Sequence, residues 1–103
     1  MANFLLLYHG GKMPESPEES GQVMKAWTGW FGELGGALID GGNPVSRSRT
    51  ISPGGSVSDA ASDVSGYSVI KAESLDAAVE LAKGCPVLLG DSRVEVAETF
   101  AAM

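Results

Sequence analysis

His9 is the only histidine among 103 residues. It is the one side chain here whose ordinary pKa puts its charge change near neutral pH. It closes an apolar run, Phe4-Leu5-Leu6-Leu7-Tyr8, and precedes Gly10-Gly11. A histidine at a strand end, beside a glycine loop, can exchange a proton with a small ligand held in a cleft. Asp40 ends another short apolar segment and is the candidate carboxylate to orient it. The competing reading is a half-exposed histidine that does no chemistry.

Trp27 and Trp30 stand three residues apart and share one face if the segment is helical. With Tyr8 and Tyr67 they form a candidate ligand pocket, since such pockets are mostly apolar with a few polar anchors. The same aromatics serve equally well as core or as a subunit interface. Arg47 and Arg49 alternate with serines. On a strand they would face one side, either to hold an anion or simply to meet solvent. Cys85 is the only cysteine, which excludes an intrachain disulfide. It reads as a small buried hydrophobe past a helix end.

Other chemistries lack their residues. There is no Cys/His cluster for zinc, and no spacing of carboxylates for a calcium loop. None of the glycine pairs is followed by the Lys-Ser/Thr of a phosphate loop. No metal and no cofactor is expected. The chain carries 13 acidic and 7 basic residues, a net charge of −6. That opposes nucleic-acid binding and attraction to an anionic membrane, both of which draw affinity from a basic face. The run at residues 4–8 is too short for a signal core or a membrane span. A cytoplasmic protein is expected.

The length fits one domain, residues 1–103, with a modest core. Residues 4–8 are apolar on both faces, as in a central strand covered on both sides. Ser16-Pro17-Glu18-Glu19 is a helix start, with a capping residue, proline at the first helical position and a glutamate to complete the box. That helix should run to about Leu34, with Val23, Trp27, Trp30, Phe31 and Leu34 as its apolar stripe. Gly29 and Gly32 weaken it, and mark places where another backbone can come close. Residues 37–40 form a short strand before the turn cluster Gly41-Gly42-Asn43-Pro44. Residues 45–65 read as an exposed hairpin or partly irregular excursion. Residues 67–72 form the next strand. Ser74 caps a second helix over residues 75–83 with Leu75, Ala78, Val79 and Ala82 inward, stopped by Gly84 and Pro86. Residues 93–99 alternate as a final strand, Val94 and Val96 on one side, Glu95 and Ala97 on the other.

This order predicts an α+β fold, a ferredoxin-like βαββαβ sheet with an inserted hairpin or loop and both helices on one face. Residues 4–8 and 67–72 should be its central strands. Two helices cover only one side, so the other exposes apolar residues. Such a patch marks an interface, and a homodimer packed sheet against sheet is the simplest cover. The excursion at 45–65, folded over the sheet, is the alternative.

Several stretches carry a family resemblance. They are Gly66-Tyr67-Ser68-Val69-Ile70-Lys71-Ala72-Glu73-Ser74-Leu75-Asp76-Ala77-Ala78, Cys85-Pro86, Val94-Glu95-Val96, the opening Phe4-Leu5-Leu6-Leu7-Tyr8, and Gly36-Ala37-Leu38-Ile39-Asp40-Gly41-Gly42. Together they resemble the YCII-related family, and within it the DGPF-domain-like group. The resemblance implies a ferredoxin-like subunit, a dimeric α/β barrel and, for most members, no assigned activity. Some members carry an Asp just after the first strand and a His in the first helix. This chain has Tyr8-His9-Gly10-Gly11-Lys12 and Met24-Lys25-Ala26-Trp27-Thr28-Gly29-Trp30 there. The acidic, Phe-containing segment that names the group is replaced by Ser58-Asp59-Ala60-Ala61-Ser62-Asp63. The expected function is a dimeric small-molecule-binding or accessory module without nucleic-acid or membrane partners. The alternative is a cofactor-free lyase or isomerase using His9 as acid and base.

Overall fold

The structure is a computed structural model that describes residues 1–10, 16–59 and 63–101. Four strands form an open antiparallel sheet in the order β2-β5-β1-β6. They are β1 (Ala2–His9), β2 (Leu38–Asp40), β5 (Val64–Ala72) and β6 (Arg93–Glu98). The central pair is β1 and β5, as the apolar content of residues 4–8 and 67–72 requires. A separate two-stranded hairpin joins β3 (Thr50–Ile51) to β4 (Val57–Ser58). The fold is α+β, and the single chain does not close its sheet into a barrel.

Helix α1 (Pro17–Leu34) starts where its cap chemistry dictates. The Ser16 hydroxyl accepts from the Glu19 amide at 3.1 Å, and Pro17 occupies the first turn. Trp30 and Leu34 of its stripe are buried, and Trp27 and Phe31 are partly buried, but Val23 is exposed. Among the described residues nothing lies within 4 Å of where a Cβ on Gly29 or Gly32 would stand, so no close backbone approach is seen there. Helix α2 (Leu75–Ala82) is capped by Ser74, whose hydroxyl accepts from the Ala77 amide at 3.1 Å. It buries Ala78 and Ala82, with Ala77 and Leu81 packed alongside, while Leu75 and Val79 are exposed. Two overlapping apolar arcs exist on this helix, and the one with the smaller side chains faces the sheet.

The core lies between the helices and one sheet face. Phe4 and Leu6 of β1 and Ile70 of β5 have no exposed surface. Their neighbours along each strand, Leu5, Leu7 and Val69, are only half-buried, because alternate side chains point to opposite faces. The molecule is 19 Å thin against 44 and 40 Å in the other directions. Its radius of gyration, 15.2 Å, exceeds the roughly 13 Å of a compact chain this long. The hairpin accounts for part of that spread. Ile51 is 71% and Val57 59% exposed, so the hairpin is not laid on the sheet.

The turn after β2 shows why glycine stands at position 42. Its φ is +73°, and a Cβ there would fall 1.7 Å from the Tyr67 carbonyl oxygen. Asp40 closes the same turn by accepting from the Gly42 amide at 2.8 Å.

Candidate functional site

The strand ends near His9 gather four charged side chains. β1 pairs with β6 so that His9 stands opposite Arg93 and Leu7 opposite Glu95. His9, Arg93 and Glu95 therefore share the open face of the sheet with Leu7, and Asp63, just before β5, joins them through its hydrogen bonds. On the other side, the β1–β5 register slips between Tyr8 and His9, leaving Ser65 as an extra residue before Val64 pairs with His9. The Ser65 hydroxyl donates to the Tyr8 carbonyl at 3.2 Å, and the Gly10 amide donates to the Asp63 carbonyl at 2.9 Å. These bonds hold the chain just before β5 against the end of β1.

His9 consequently sits between two carboxylates. Its Nδ1 is 2.7 Å from Asp63 Oδ1 and its Nε2 is 2.9 Å from Glu95 Oε1. Arg93 donates to the other oxygen of Asp63 at 2.8 Å. Only the imidazolium can donate from both ring nitrogens. The hydrogen bond to Asp63, followed by that to Glu95, raises the His9 pKa above its usual value. The donors His9 and then Arg93 hold the Asp63 carboxyl below its usual range. Asp63 thus fixes the ring and its charge. A ligand reaching Nε2 would take the place of Glu95.

Asp40 is not part of this cluster. It pairs with Val69, which stands opposite Leu5 of β1. That places it two strand spacings across and about 13 Å along the strands from His9. The orienting carboxylates are Asp63 and Glu95 instead. Glu95 had a readable signal, since the alternation of β6 puts it on one face with Ala97 and an antiparallel first–last strand pair brings it to β1. Asp63 had none, because residues 56–65 show no period.

The four aromatics separate in the same way. Tyr8, Trp27 and Trp30 pack together on the helix side, with edge-on centroid distances of 5.1 Å for Tyr8–Trp27 and 5.7 Å for Trp27–Trp30. Tyr67 pairs with Leu7, not Tyr8, and so lies on the opposite face. Tyr8 and Trp30 are buried in the core, and Trp27 is partly buried against it. Tyr8 donates to the Ser68 hydroxyl at 2.7 Å, which donates to the Gly41 carbonyl at 2.7 Å. Burial pushes the Tyr8 phenol well above its ordinary pKa, and pushes the Cys85 thiol up to about 11. Cys85 is 2% exposed and mostly protonated at neutral pH, which suits an inert core residue. Trp30 donates to the Leu81 carbonyl at 3.3 Å and packs so tightly on Gly84 that a Cβ there would meet its ring at 3.1 Å.

Two shallow grooves lie elsewhere. One, of about 500 Å³, runs beside Trp30 between Lys25, Glu33 and Lys83. The other, of about 700 Å³, lies between Met1, Lys71 and Leu81. Neither reaches His9, Tyr8, Trp27 or Tyr67. Among the described residues no cluster of His, Cys, Asp and Glu could hold a metal ion. Among them, too, no helix is long and apolar enough to cross a membrane. No family model, curated protein or solved structure matches the chain.

Proposed function

We propose that the protein is a small-molecule-binding or accessory module of the YCII-related kind that works as a cytoplasmic homodimer. In this reading each ferredoxin-like subunit contributes its open sheet face to a dimeric α/β barrel. The observation that carries it is the asymmetry of the sheet. Helices cover the Phe4, Leu6 and Ile70 side, while Leu5, Leu7, Tyr67, Val69 and Ala97 form a half-buried apolar field on the other. That field ends at the His9–Asp63–Glu95–Arg93 cluster. A second sheet laid over it would make a space with an apolar floor and one charged wall, the usual composition of a ligand site.

A specific observation favours the catalytic alternative as well. The two carboxylates on His9 form a proton-transfer constellation on that same field. With Glu95 displaced, the imidazolium would act as general acid and its conjugate as general base, oriented by Asp63.

Sedimentation equilibrium at micromolar concentration tests the first reading. A dimer is expected, with Leu7→Asp giving a folded monomer. A monomeric wild-type protein would overturn it. A small-molecule screen in deuterated water, read by NMR, then separates the two functions. Binding without exchange of carbon-bound hydrogens supports a binding module. Exchange that disappears in His9→Gln supports a lyase or isomerase.

A further inference from the structure

Among the described residues the β3–β4 hairpin is a two-stranded sheet of its own, outside the four-stranded sheet. Each of its strands has two residues, and a lone hairpin of that size is marginal in water. Ile51 and Val57 are direct cross-strand partners, so their side chains lie together on one face of the hairpin. Both are largely exposed. The hairpin is therefore an apolar pair carried outward on an arm.

The arm also differs in charge from the rest of the chain. Residues 45–59 hold two arginines, Arg47 and Arg49, against one aspartate, Asp59. The whole chain carries −6, so the remainder is more acidic still. Arg49 pairs with Asp59 at 3.3 Å across exposed surface, and Arg47 makes no ion pair among the described residues. A basic arm on an acidic body is complementary to another copy of that body. Its root is at the His9 end of the sheet. There the Val45 amide donates to the Ser65 carbonyl at 2.9 Å, and Pro44 bridges to Gly66. The arm therefore leaves the sheet along β5, at the end where His9 stands.

We propose that the β3–β4 hairpin is an arm that docks on a second copy of this chain, with Ile51 and Val57 inward and Arg47 and Arg49 on the partner's acidic surface. This rests on the dimer reading and adds a contact to it. In a two-fold dimer each subunit gives one arm and receives one.

The test uses the full chain with Cys85→Ser and Ser56→Cys, spin-labelled at the arm tip and mixed with unlabelled-tip, nitrogen-15 chain. Paramagnetic broadening then reports only contacts between chains. Broadening of body amides near acidic residues is expected. Arg47→Glu with Arg49→Glu should weaken the dimer about tenfold by sedimentation and leave the circular dichroism unchanged. A dimer without interchain broadening overturns the arm and leaves the dimer standing. In a second sample, with the spin label on the nitrogen-15 chain itself, broadening of its body amides without any between chains in the first sample shows the arm folded on its own body, and also overturns it. A protein that sediments as a monomer removes both readings.

Discussion

The two faces of the sheet are built from the same strands by different rules. On the helix side, Phe4, Leu6 and Ile70 are sealed, and the buried polar side chain of Ser68 both accepts and donates a hydrogen bond. On the open side, the residues between them are half-exposed and end in four charges tied together. Every second residue of β1 thus serves stability, and the residues between them are free to serve association and chemistry. The difference teaches where substitutions will be felt, and by which measurement.

The largest effect should come from the sealed face. Phe4→Ala is expected to cost about 3–5 kcal/mol, because it removes a fully buried ring and leaves a cavity. An unfolding free energy, from denaturant titration, lowered by less than a third of that would show that the helix layer is not the main core. Ser68→Ala comes next. It removes the acceptor of the Tyr8 hydroxyl and the donor to the Gly41 carbonyl, and should cost about 1–3 kcal/mol by the same measurement. A neutral result would mean that solvent reaches this site and that the two faces are less unlike.

The smallest effect belongs to the open face and appears in its pH dependence. The His9 pKa is raised in the folded state, so its contribution is fully present below about pH 6.5 and is lost as pH rises through the folded value. The Asp63 pKa is lowered, so its contribution is present above about pH 4 and is lost as pH falls through the folded value. Stability from the cluster should therefore plateau between about pH 4 and 6.5. His9→Gln should flatten the alkaline limb. An NMR titration placing the His9 ring at its ordinary pKa would contradict the two short hydrogen bonds.

Much of the scaffold was legible in short stretches of chain. Ser16 and Pro17 announce α1, and Gly84 and Pro86 end α2, because caps and stops act over three or four residues. The centrality of β1 and β5 follows from apolar residues on both faces of each. Of the candidate site, His9 was legible by its residue type and Glu95 only through the alternation of β6. The partners of His9 are 54 and 86 residues away, brought in by strand register and by an extra residue at Ser65. Asp40 has the right chemistry and the wrong strand position. Tyr67 has the right chemistry and the wrong parity, because a shift of one residue along a strand changes its face. The same sensitivity explains α2, where Leu75 and Val79 lost to the arc holding Ala77 and Leu81.

β6 has one further consequence. It lies at the border of the sheet, so its outward backbone groups are not paired within the sheet. Such a border invites strands of other molecules to stack and grow into fibres. Here it carries Arg93, Glu95 and Glu98 at intervals of two and three residues. In-register stacking of identical strands would set like charges side by side every ~4.8 Å. His9 neutralises one of those carboxylates while the protein is folded and leaves Glu98 on guard. The charges that look like a site are therefore also what keeps this border from becoming a template for aggregation.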